Sequence, residues 1–195
     1  GDVAAAREEL DRALSMQPES WRGLYFAGRM ALFDDDPEAA SRHHRALEGL
    51  PAVERSASAR MYRDALAAER ALYGGDVATA RRLFAEVVSR PLLLDWSSTC
   101  SSAGAVFLEG LARAASADQD AAAELDALER LVGSGAARID HPVVYMRALE
   151  RLSGLYLERG ERERGEKLLA RFLRSWGDAD WEIELVDEAR SRRGL

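Results

Sequence analysis

Three stretches of the sequence carry residue types that could do chemistry, and each lacks a companion that the chemistry needs. His43 and His44 offer two imidazoles to a metal. Adjacent residues on a helix point about 100° apart, and no acid or thiol stands at ligand spacing from them. His43 falls where one helix packs on its partner, which makes its expected role structural. Asp34, Asp35 and Asp36 precede Pro37 and could hold calcium, but no alternating ligands, central glycine and distal glutamate follow in register. Asp36 as a helix cap with Pro37 in the first turn accounts for the same residues. Trp96-Ser97-Ser98-Thr99-Cys100-Ser101-Ser102 holds hydroxyl and thiol nucleophiles with no nucleophile elbow around them and no histidine in a triad relation. Gly133-Ser134-Gly135 lacks the lysine of a phosphate-cradling loop. The expectation is a protein without catalytic residues, metal or cofactor.

The elements around these residues must therefore carry the function. The chain has 195 residues, of which 47% are hydrophobic and 31% charged, a balance that excludes low-hydrophobicity disorder and suits amphipathic helices in series. No apolar run approaches the roughly 18 residues needed to cross a bilayer, and no signal peptide is recognisable, so no membrane partner is expected. A net charge of −7 repels phosphate backbones and argues against nucleic acid. The charged run from Glu158 to Lys167 mixes signs, as a solvated helix face does. Cys100 is the single cysteine, which permits no intrachain disulfide and fits a reducing, cytoplasmic setting.

Three segments align without gaps, beginning Gly1-Asp2-Val3, Gly75-Asp76-Val77 and Gly160-Glu161-Arg162. In each, glycine is followed by an acid, then by a small residue (Ala6, Ala80, Gly165) and a large apolar one (Leu10, Phe84, Leu169). Glycine permits the left-handed backbone that ends a helix, and the acid favours the start of the next. The small residue lets two helices approach, and the large one fills the space beyond.

This pattern resembles the tetratricopeptide repeat. The first segment matches through Gly1, Ala6, Leu10, Ala13 and Pro18. Trp21, Leu24, Ala27 and Gly28 look like the first helix of the next unit, with Ala39, His43, Ala46 and Pro51 as the seam of its second, after a turn that is one residue short and has Asp for Gly. A third unit combines a long first helix over Val53 to Tyr73 with Gly75, Ala80, Phe84 and Val87. A fourth, with helices around Ser98 to Ala115 and Asp120 to Val132, lacks the marker glycine, and a fifth is clear again through Leu149, Leu152, Gly160, Gly165 and Phe172. The resemblance implies an all-α fold: about ten antiparallel helices in a right-handed superhelical array. The expected units span approximately 1–18 (a half repeat), 19–51, 52–91, 92–133 and 140–177, with a capping helix over 178–194 that carries Trp181, Ile183, Val186 and Ala189. Gly1 falls on an inter-helix turn, which suggests a fragment of a longer protein.

In the resembled family, partners bind the exposed face of the first helix of each pair. Carried over by register, that face comprises Arg22, Tyr25, Arg29, Phe33, Tyr62, Glu69, Tyr73, Arg113, Arg147 and Glu150. Arginine and tyrosine combine contact area with directed hydrogen bonds, and arginines in a groove favour an acidic or carboxylate-bearing segment. The implied function is a non-catalytic protein- or peptide-binding scaffold or sensor in a larger bacterial signalling protein, such as one with a serine/threonine kinase or a transcriptional activator. The alternative is self-association through the first pair or near Trp176 and Trp181.

Overall fold

The computed structural model describes residues 3–90, 100–177 and 184–193, and among these it contains twelve helices and no strand. The chain divides into two compact units, Gly1–Arg90 and Pro91–Leu195. Unit 1 runs α1 (Val3–Met16), α2 (Trp21–Phe33), α3 (Pro37–Glu48), α4 (Pro51–Arg55), α5 (Ala57–Tyr73) and α6 (Val77–Ser89). Unit 2 runs α7 (Cys100–Ala117), α8 (Ala121–Gly133), α9 (Gly135–Asp140), α10 (Pro142–Glu158), α11 (Arg162–Trp176) and α12 (Glu184–Arg193). Each unit holds two helical hairpins, α2/α3 and α5/α6 in the first and α7/α8 and α10/α11 in the second. Successive hairpins pack through α2 and α3 on α5, and through α7 and α8 on α10.

All four hairpins turn in the same way. One residue adopts a left-handed backbone: Asp35 (φ 61°), Gly75 (φ 81°), Gln119 (φ 58°) and Gly160 (φ 78°). The amide after it reaches back to close the first helix, from Asp36 to the Ala31 carbonyl (2.9 Å), Asp76 to Ala71 (2.9 Å), Asp120 to Ala115 (2.9 Å) and Glu161 to Tyr156 (2.8 Å). This satisfies a carbonyl that the helix end leaves unpaired. Asp36, Asp76 and Asp120 then cap the next helix, accepting from the amides of Ala39, Thr79 and Ala123. The turn before α3 is thus full length, with Asp35 standing where the others have Gly or Gln, and Gln119 fills the place of the glycine missing from the fourth unit.

That turn moves the α3 seam by one residue from the sequence expectation. Its buried residues are Ala40, His44 and Leu47, in line with Ala80, Phe84 and Val87, with Glu124, Leu128 and Leu131, and with Gly165, Leu169 and Phe172. His44, rather than His43, occupies the position of the large residue. At Gly165 a Cβ would meet the Ser153 carbonyl at 3.0 Å and Leu157 side-chain atoms at 2.7 Å, so glycine there sets how closely α10 and α11 approach.

The two helices beyond the expected ten are the short connectors α4 and α9. The long helix over Val53 to Tyr73, which the sequence leaves either straight or broken, breaks at Ser56, which has extended backbone and caps α5 by accepting from the Ala59 amide. The Arg60 guanidinium donates to the Val53 and Glu54 carbonyls at 3.1 and 2.9 Å, satisfying the end of α4 at the break. In α12, Val186 and Ala189 are buried. Gly1, Trp96 to Thr99, Asp178, Asp180, Trp181 and Ile183 lie outside the described residues. No described helix is long and apolar enough to cross a membrane.

His44 introduces a polar ring into an otherwise apolar seam. Its Nδ1 lies 3.2 Å from Arg70 Nη1, and the same guanidinium donates to Ser41 Oγ at 2.9 Å. A guanidinium only donates, so Nδ1 accepts and the ring proton sits on Nε2, which is buried. Burial, with help from Arg70 and against the pull of Glu48 and of a hydrogen bond to the Arg63 backbone, lowers the His44 pKa below its ordinary 6.5. A lowered folded-state pKa means that the unfolded chain takes up protons first as pH falls. The seam's stability is therefore present above pH 6.5 and is lost as pH drops toward the folded-state pKa. His43, whose pKa burial also lowers, acts in the same sense. His44→Phe should raise unfolding stability in urea by about 1 kcal/mol and flatten its decline between roughly pH 7 and pH 5. An unchanged decline would refute this role. Gln119→Gly should stabilise unit 2 by about 1 kcal/mol by removing a side chain from the left-handed region, whereas Gln119→Val should destabilise it, both read from unfolding curves.

Candidate functional site

Position by position, α8 departs from the other hairpins at one residue. Five residues after the left-handed turn the others carry Ala40, Ala80 and Gly165, and α8 carries Glu124. A buried carboxylate there needs a counter-charge, and Arg151 on α10 supplies it. Arg151 Nε and Nη2 donate to the two oxygens of Glu124 at 2.6 and 2.9 Å, a two-pronged match of guanidinium to carboxylate. Those bonds also raise the pKa of Arg151.

Beside this pair a cleft of about 250 Å³ opens within unit 2. From α7 it takes Glu109, Ala112, Arg113 and Ser116, from α8 Glu124 and Leu128, and from α10 Arg147, Ala148 and Arg151. Arg147 Nη1 stands 3.5 Å from Glu109 Oε1, a longer approach than either Arg151 bond. The side chains of Glu109 and Glu124 are only 12% and 6% exposed, whereas those of Arg147 and Arg151 are 57% and 41% exposed. The acids therefore lie at the floor, the guanidiniums at the mouth, and Ala112, Leu128 and Ala148 form apolar wall. Such a mouth presents positive charge to an approaching ligand in a chain whose net charge is negative.

Of the face residues expected from sequence, the structure brings Arg113 and Arg147 together in this cleft. Glu150 lies elsewhere in unit 2: it is buried and accepts from Arg192 of α12. Burial raises its carboxyl pKa against the pull of that guanidinium. In unit 1, Tyr25 and Tyr62 are in the core, their rings 5.2 Å apart at 78°, with Trp21 5.0 Å from Tyr62. Arg29 Nε lies 3.1 Å from the buried Glu69 carboxylate, and its guanidinium sits 5.9 Å from the Tyr25 ring centroid. Arg22 rests over Trp21. These residues adjoin one another, but Tyr25, Tyr62 and Glu69 act from beneath the surface. Phe33 and Tyr73 are exposed. The Tyr73 hydroxyl donates to Asp35 at the turn, which raises the phenol pKa.

Sequence reasoning missed Glu109, Glu124 and Arg151. The available signal was Glu124 itself, an acid at the spacing where the aligned segments have a small residue. Among the described residues, no group of three or more His, Cys, Asp or Glu side chains gathers as a metal site would require. Compared with known proteins, the chain matches no family model and no curated protein sequence.

The two-pronged pair makes a separable prediction. Arg151→Met should destabilise unit 2 by about 2 kcal/mol, less than for a fully enclosed pair because the arginine is partly exposed. Adding Glu124→Ala, the residue type of the other seams, should recover most of that loss in a double-mutant cycle. Additive losses would show that the two charges do not depend on each other.

Proposed function

We propose that the chain is a non-catalytic binding module whose unit 2 cleft takes an acidic segment of a protein partner. One observation carries the reading: arginines occupy the mouth of the cleft while the carboxylates that balance them are withdrawn to its floor. The apolar wall gives area, and the guanidiniums give direction and charge. Two hairpins with a common turn in each unit support a tetratricopeptide-like stacking of helix pairs within the units. The intervals are longer than the family's, since 40 residues separate Asp35 from Gly75 and 41 separate Gln119 from Gly160, against about 34 in that repeat. The short connectors α4 and α9 lie within those intervals. A place in the cytoplasm, as a scaffold or sensor joined to a bacterial signalling domain, belongs to the same reading.

A second reading, self-association, draws on Ile139 of α9 and Val143 of α10, which are 74% and 57% exposed and four positions apart. Trp176, by contrast, is partly covered and packs 5.8 Å from Phe172. Sedimentation showing a monomer at high concentration would remove this reading.

Binding of a fluorescein-labelled peptide of alternating glycine and glutamate, followed by anisotropy, tests the first reading. Arg147→Gln should weaken capture at least tenfold with little change in melting temperature, because Arg147 is exposed and approaches Glu109 only at 3.5 Å. A melting loss as large as the binding loss would overturn this. Arg29→Glu should behave differently, lowering the melting temperature by placing a carboxylate beside the buried Glu69.

A further inference from the structure

The two ion pairs of the cleft are built differently, and the difference assigns them different tasks. Arg151 holds Glu124 by two short bonds and closes the seam between hairpins. Arg147 approaches Glu109 through a 3.5 Å contact while more than half of its side chain faces solvent. A pair of that length leaves the guanidinium free to turn toward another carboxylate without breaking a short bond. The volume points to the size of the guest. About 250 Å³ is smaller than a site for a drug-sized molecule, and it suits the end of one side chain reaching in from a partner that lies outside.

We propose that Glu109 is a built-in occupant of the Arg147 seat, and that an acidic side chain of the partner binds by exchanging with it. The inference rests on the reading of the cleft as a binding site and adds the identity of the group recognised, a carboxylate, and the internal competitor that sets its affinity. With Glu109 in place the guanidinium is partly neutralised, so a neutral side chain finds no gain at the mouth. A carboxylate presented on a larger contact surface wins the exchange, because Arg147 gains a partner it can engage at hydrogen-bond distance. Glu109, on the cleft floor beside Arg113, keeps cationic company after the exchange.

The test uses the glycine-glutamate peptide, its glutamine counterpart and a phosphoserine counterpart on the full chain, with melting temperature recorded for every variant. Glu109→Gln removes the competitor's charge with little change of shape and should raise affinity for the glutamate peptide at least threefold. Arg147→Gln should abolish binding, and the double variant should match Arg147→Gln alone. Asp126→Asn on α8 removes an equal charge from an exposed residue paired with Arg130, outside the cleft, and should leave affinity unchanged. An equal gain from Asp126→Asn would reduce the effect to net charge and overturn the exchange. Weaker binding by Glu109→Gln would make Glu109 part of the seat and also overturn it, while leaving the binding reading intact. Preference for the phosphoserine peptide would overturn the carboxylate assignment. Failure of the wild-type chain to bind any of the three peptides would sink the binding reading itself. Should Glu109→Gln melt early, Glu109→Asp, which retracts the carboxylate by one methylene, provides the same comparison.

Discussion

A single left-handed residue between two helices governs the register of each of the four hairpins among the described residues. Its conformation lets the next amide bond back to the end of the helix just finished, and the same next residue begins the following helix. The helix end and the helix start are therefore tied to one point in the chain. Residues five, nine and twelve positions later then fall on the packed face, as Ala80, Phe84 and Val87 do after Gly75. A slip of one residue would rotate that face by about 100° and replace the seam with its polar neighbours. The recurrence of the turn at Asp35 and Gln119, where a side chain opposes it, shows how strongly the packed hairpin favours it.

Once the seam is set, the chemistry of unit 2 follows from a single departure. Glu124 puts a carboxylate where helices usually meet through Ala or Gly, and the desolvation it suffers is offset only by a guanidinium with matching geometry. Arg151 can supply this from the next hairpin because arginine is long: its charged end travels to the acid while the helices stay at packing distance. The same reach lets Arg147 stand at the edge with its head in water. Short acids below and long bases above make a positive mouth over a balanced floor.

Parts of this arrangement could be read before any fold was known. Gly75 and Gly160 with their following acids mark two turns, since glycine enters the left-handed region at no steric cost. Asp36 and Asp76 announce helix starts through their capping geometry. Asp35 and Gln119 gave no such notice. For residues with a Cβ that backbone costs about 1–2 kcal/mol, and the burial that offsets it lies in the partner helix rather than in the local sequence. The seam of α3 was consequently placed on His43 instead of His44. Whether the helix over Val53 to Tyr73 breaks was open in the sequence for a related reason: apolar periodicity continues through Ser56, and the Arg60 contacts that satisfy the broken end exist only after folding.

Taken alone, the sequence determined the helical class, the hairpin plan, the caps and the overall acidity, because all of these arise from interactions within a turn or two of the chain. It also placed Arg113 and Arg147 on first-helix faces, since position along a helix is periodic. Only the tertiary structure decided which charges meet. Glu124 and Arg151 are 27 positions apart and Glu150 and Arg192 are 42 apart, and no local rule selects those partners from 34 acids and 27 bases. The choice is made by helix packing, which brings a few acids out of water and leaves each to be matched by whichever guanidinium can reach it.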